Sequence, residues 1–251
     1  EKHALDNLRR GLKPPETAYA NNPDGEYLGA DIRADPWGYA CAGLPELAAE
    51  MAWRDARVSH TRNGLYGAMY YAALIASVAA TGDIRASIRV ALTEIPAECR
   101  LAIALRETLG WCSELRDLDS VLDRIFAAHR GMHIGHTINN AALVTAVFEL
   151  ESPSFERIIT RAVMAGMDTD CNGATAGSIA GAAWGASRLP ERWISPLGSI
   201  HRSYLNGLDV WDSRDIAARF VRAALRIRRE ALNGNSKGPQ NPEGKENTST
   251  R

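Results

Sequence analysis

Apolar side chains along this chain recur at intervals of three and four residues, the spacing that lines one face of a helix, and the pattern breaks where Gly and Pro fall. It predicts helices over roughly 2–11, 45–57, 63–81, 83–94, 97–110, 117–130, 137–150, 154–166, 173–187 and 213–232. No alternating run of Val, Ile, Thr and aromatic residues is long enough to predict a strand, so the fold class is all-α. At 251 residues there is ample material for a core, and no fixed-period repeat divides it.

Two segments stand outside the helical pattern. The stretch 13–43 contains Pro14, Pro15, Pro23 and Pro36, with only a short helical possibility over 27–34. Long irregular segments in compact domains are functional or disordered, and the embedded Tyr27, Ile32, Trp37 and Tyr39 argue for packed and functional. After Leu232 the chain turns to Asn, Gly, Ser, Lys, Pro and Glu, so 233–251 is expected to be a disordered tail behind a single helical domain over 1–232.

A formal net charge of −1 makes no electrostatic case for nucleic acid or an anionic membrane. The richest apolar run, 68–80, falls short of the roughly 18 residues a bilayer requires and includes two tyrosines. Cys41, Cys99, Cys112 and Cys171 show no C-x-x-C spacing and are too few for a disulfide scaffold, which suggests a reduced, cytoplasmic protein. The chain opens at Glu1, without a methionine, directly into the helical pattern of Leu5, Leu8 and Leu12, and so reads as a fragment or a processed chain.

The chemistry concentrates in Asp168-Thr169-Asp170-Cys171-Asn172-Gly173, followed by Gly177, Gly181 and Gly185. Two carboxylates one residue apart suit a hard cation, Mg²⁺, Mn²⁺ or Ca²⁺, better than zinc. Asp168, Asp170, Asn172 and Gly173 match the first half of a calcium-binding EF-hand, but the twelfth position falls on Ile179, which cannot ligate. The alternative is that the aspartates merely cap a helix, for which one suffices. Glycines in a helix cost about 1 kcal/mol each relative to alanine, so a face of them implies a close neighbour. Periodicity alone leaves metal site and cap both open.

Two further clusters are polar. Ser59-His60-Thr61-Arg62-Asn63-Gly64 lies between two predicted helices as caps or a ligand rim, and His133-Ile134-Gly135-His136-Thr137-Ile138-Asn139-Asn140 opens another. Buried asparagines need hydrogen-bond partners, which makes Asn139 and Asn140 either a structural network or a pocket wall. His133 and His136 have zinc-like i, i+3 spacing but lack a third ligand at matching spacing. Arg226, Arg228 and Arg229 read as a solvated helix C-terminus.

Taken in order, these motifs resemble the ADP-ribosylglycohydrolase family, which includes the enzymes that remove ADP-ribose from modified nitrogenase reductase. The resemblance covers roughly residues 1–200. Its strongest part is Gly166-Met167-Asp168-Thr169-Asp170-Cys171-Asn172-Gly173 with the glycine helix after it, supported by Gly29-Ala30-Asp31-Ile32-Arg33 and by the His60 and His136 clusters. It implies an all-α fold whose cleft holds ADP-ribose over two Mg²⁺ or Mn²⁺ ions, and hydrolysis of the glycosidic bond at the ribose anomeric carbon of an ADP-ribosylated substrate. The metals position or activate water, a carboxylate serves as general base, and positive charge develops at the sugar.

Carried over residue by residue, Asp168 and Asp170 become metal ligands. Gly29, Asp31 and Arg33 become contacts to the pyrophosphate and distal ribose, and His60, Asn63, His136 and Asn140 line the pocket. Cys171 stands where the family usually has Thr or Ser as an oxygen ligand. The family's Gly-Asp-rich opening and acidic cluster have no counterpart before Asp31. The chain is therefore expected to be incomplete at its N-terminus and to carry the C-terminal half of the metal site, with the general base supplied from outside it. The alternative is a non-catalytic relative that binds ADP-ribose or serves as structure. The acceptor, whether arginine, serine, a nucleobase or a small molecule, is left open, as is the oligomeric state.

Overall fold

A computed structural model describes residues 1–234. It contains helices α1 (Lys2–Arg9), α2 (Glu16–Tyr19), α3 (Asp35–Ala40), α4 (Pro45–Ala56), α5 (Arg62–Thr81), α6 (Ile84–Thr93), α7 (Arg100–Leu115) and α8 (Leu118–Ala128). These are followed by α9 (Thr137–Glu151), α10 (Phe155–Met164), α11 (Thr169–Trp184), α12 (Glu191–Ile194) and α13 (Ser213–Gly234). The all-α expectation holds, apart from one hairpin in which β1 (Ile200–Arg202) pairs antiparallel with β2 (Val210–Asp212), His201 opposite Trp211. Strands of three residues are too short to show alternation in a sequence.

Two helices that are apolar nearly all round form the centre. In α5, Tyr70, Leu74 and Ile75 are fully buried, and in α9 every residue from 137 to 148 is buried. At 20 residues and a mean hydropathy of 1.3, α5 is long and apolar enough to cross a bilayer, which the shorter run 68–80 did not reveal. Two thirds (67%) of its apolar 18-residue window is buried within the protein, and the helix packs against α3, α4 and α6. Gly38 explains how closely α3 sits on α5: a Cβ there would come within 2.5 Å of Ile75 Cβ and 2.9 Å of the Ala72 carbonyl oxygen.

Helix ends follow local chemistry. Asp83 caps α6 through Ala86 N–H (3.0 Å), Asp117 caps α8 through Ser120 N–H (2.9 Å), and Gly82 ends α5 at φ +70°. Several boundaries differ from the sequence expectation. Helix α7 passes through Gly110 to Leu115 rather than stopping there. Helix α11 starts at Thr169, not 173, because Asp168 caps it. The stretch 13–43 folds into α2, a 3₁₀ turn (Asp31–Arg33) and α3, with Pro36 in the first turn of α3, where a missing N–H does no harm. Helix α13 includes Asn233 and Gly234, and the rest of the expected tail, 235–251, lies outside the described residues.

Candidate active site at the start of α11

The start of α11 is built by a left-handed turn and a buried asparagine. Gly166 (φ +87°) and Met167 (φ +58°) reverse the chain; the glycine does so freely, whereas a methionine there costs about 1 kcal/mol or more. Asn140 on α9 offsets that cost. Its Oδ1 accepts from the Asp168 N–H (3.2 Å) and from Asn172 Nδ2 (2.9 Å), while its Nδ2 donates to the carbonyls of Ile134 (2.6 Å) and His136 (2.8 Å). Asn140 therefore positions the α11 turn and does not face the cavity described below.

Asp168 caps α11, its Oδ1 accepting from Cys171 N–H at 3.4 Å, and it also meets the exposed Asp170 one residue into the helix. Ligand atoms of Asp168, Asp170 and Cys171 lie within 4.8 Å of one another. Capping and clustering coexist here, although the sequence offers them as alternatives. The glycine face serves α10: a Cβ on Gly173 would come 2.8 Å from Val163 Cγ2, and one on Gly177 would come 3.5 Å from Ile159 Cδ1. The close neighbours are side chains, not another backbone, and nothing lies within 4 Å at Gly181.

The donor chemistry fits one hard divalent cation. Two carboxylates supply oxygen ligands, with the remaining positions open to water or substrate oxygens. Burial, and then the neighbouring Asp168 and Asp170, push the Cys171 thiol up to about 12 in the metal-free protein, and its soft sulfur suits a hard cation poorly. Among the described residues this cluster holds too few donors for two such ions.

Beside it opens a cavity of about 500 Å³, whose lining includes Tyr27, Gly29, His60, His133, Asp168 and Cys171. Segment 26–28 is tied to the loop before α9 by Leu28 N–H to the Gly135 carbonyl (3.0 Å) and Thr137 N–H to the Glu26 carbonyl (3.1 Å). This brings Tyr27 flat against His133, with ring centroids 4.6 Å apart at 8°, and Gly135 N–H donates to His133 Nδ1 (3.0 Å). Tyr27 and His133 line the cavity without being among the residues the motifs single out; their sequence signals are an aromatic in a long loop marked as packed and functional, and a histidine with zinc-like spacing but no third ligand.

His60 lines the cavity from a buried position, its Nδ1 2.8 Å from Ser59 Oγ. Burial, reinforced by the Arg33 charge, lowers its pKa to about 3, so the ring is neutral at physiological pH. Gly29 lines it too, with the Glu1 carboxylate so near that a Cβ would come within 2.7 Å of Oε1.

The other expected contacts stand behind this wall. Arg33 is engaged by Asp55 (Nε, 2.9 Å), Glu1 (Nη1, 2.5 Å) and Ser59 Oγ (Nη2, 2.9 Å), so it braces Ser59 and, through it, His60. Asn63 is buried, donating to Glu26 (2.8 Å) and accepting Leu101 N–H (3.0 Å) at the start of α7. His136 caps α9, its Nδ1 accepting Ile138 N–H at 3.2 Å, with Nε2 3.9 Å from Glu26. Asp31 is 3% exposed, under Gly67 and beside Thr137. Its Oδ1 and the Thr137 hydroxyl each lack a hydrogen bond of normal geometry, and burial raises its pKa well above the usual carboxylate range.

A family model described as ADP-ribosylglycohydrolase matches residues 1–229, from α1 well into α13. No curated protein matches the chain.

Proposed function

The chain belongs to the ADP-ribosylglycohydrolase family, and on that premise we propose that it serves metal-dependent hydrolysis of the glycosidic bond in an ADP-ribose conjugate. The observation that carries this reading is the Asp168–Asp170 pair beside a cavity of about 500 Å³, a volume suited to a nucleotide-sized ligand. Asp168 and Asp170 would hold Mg²⁺ or Mn²⁺, which when bound supplies Lewis-acid stabilisation and an activated water. Neutral His60, oriented by Ser59, offers the substrate a hydrogen bond without added charge.

A two-ion centre requires more carboxylates than the Asp168 cluster contains, and the cluster includes no group free to act as general base. We therefore assign this chain one half of the metal site, with the remaining donors and the base contributed from outside the cluster. The sparse donor set also keeps a second reading in view, an ADP-ribose binder without hydrolysis. Four free thiols accord with a reducing compartment, and we place the protein in the cytoplasm.

The test is calorimetric titration with ADP-ribose in Mg²⁺ or Mn²⁺, repeated with chelator and with Asp170→Ala, alongside release of ADP-ribose from a conjugate. Binding that requires metal and is lost in the variant supports the site, and release in addition supports the hydrolase over the binder. Binding indifferent to chelator and to the substitution would overturn the metal assignment.

A further inference from the structure

Helix α13 carries more apolar surface than the body covers. Phe220 packs edge-on against Tyr39 (centroids 5.7 Å apart, 68°), and Ile227 joins the margin of the core. A second stripe, Ala217, Val221, Leu225 and Leu232, interrupted by the exposed Arg228, runs along the neighbouring face at helical spacing, and its three large apolar residues are 58%, 61% and 66% exposed. Between this stripe and the body lies a trough of about 560 Å³ with Tyr39 and Trp211 as walls and the small residues Ala42 and Ala79 also lining it. The remaining face of α13 bears the exposed Arg219, Arg222, Arg226 and Arg229. A second hollow, of about 580 Å³, brings Glu46, Glu94 and Glu50, the last already paired with Arg54, together beside Ala231 of the same helix.

We propose that this surface is a two-fold interface between two copies of the chain, the α13 of each lying in the trough of the other. An isologous contact requires a patch that is its own complement. Here an apolar ridge adjoins an apolar trough, and an arginine face adjoins a carboxylate hollow, so one copy presents what a second needs in both shape and charge. The segment 235–251 is unsuited to the trough, since it has no aliphatic or aromatic side chain other than proline. An occupant complementary only to the helix would leave the glutamate hollow unmatched.

Sedimentation equilibrium over a dilution series tests this directly. The parent chain is expected to be a dimer that dissociates on dilution, and Leu225→Asp to weaken association by at least about tenfold with helix content unchanged by circular dichroism. Arg222→Glu with Arg226→Glu is expected to weaken it as well, and adding Glu46→Arg with Glu94→Arg to restore it, which structural damage would not do. A parent chain that stays monomeric throughout, or a Leu225→Asp variant that associates as tightly as the parent, overturns the proposal. So does a monomer that instead binds phosphatidylserine vesicles through α13.

Discussion

Asp31 and His60 are buried ionisable groups with opposite consequences for stability. Burial raises Asp31, so above its ordinary value of 3.8 the unfolded chain releases a proton that the folded chain retains, and stability falls as pH rises from there. Asp31→Asn removes that liability. We expect a higher melting temperature than the parent at pH 7.5, and a gap that narrows toward pH 4, read by circular dichroism in roughly neutral and acidic buffers. His60 runs the other way: folded at about 3 against 6.5 unfolded, it binds its proton more readily in the unfolded chain, so its contribution is full above 6.5 and is lost as pH falls toward 3. His60→Gln should flatten the acid limb of the stability curve between those values; an unchanged limb would mean the imidazole is not the group responsible. In sequence, Gly29 and His60 could be marked as site residues because a motif names them. That Arg33, Asn63 and Asn140 support the site from behind could not be read there, because a side chain's partners come from elements far along the chain.

Helix α11 shows how an element is placed by its neighbours. Asn140 connects four polar groups of two segments, and Asn140→Ala would remove all four bonds in a largely buried setting, leaving the His136 carbonyl only its 3.5 Å bond from the backbone N–H of residue 140. We expect a loss of about 2 kcal/mol or more in stability, together with weaker Mn²⁺ binding at Asp168 and Asp170 in a metal-only titration. Metal affinity equal to the parent's would show that the turn holds its shape without the clamp. The glycines separate by their surroundings. Gly181→Ala meets nothing and should raise the melting point, with up to about 1 kcal/mol gained from helix propensity. Gly173→Ala runs into Val163 and should fail to raise it. Most helix bounds were legible because caps and glycines act within a few residues, as at Asp83, Asp117 and Gly82. The early start of α11 was less so, since glycine content suggested a later onset while the Asp168 cap and the Asn140 clamp set the true one.

At the scale of the molecule, α5 is the member about which the others assemble. Leu74, fully buried at its centre, tests this: Leu74→Ala should cost about 2–5 kcal/mol in chemical denaturation, with one cooperative transition retained if the body unfolds as a unit. The sequence by itself determined the helical class, most of the helix limits and the pairing of Asp168 with Asp170. Those properties depend on periodicity, caps and spacing over a single turn, where the responsible atoms are neighbours in the chain. Only the tertiary structure decided that Tyr27 stacks on His133, that Arg33 braces Ser59, and that α13 leaves an apolar stripe beside an open trough. These contacts join segments dozens of residues apart, and packing, which satisfies burial and hydrogen bonding over the whole body at once, selects them.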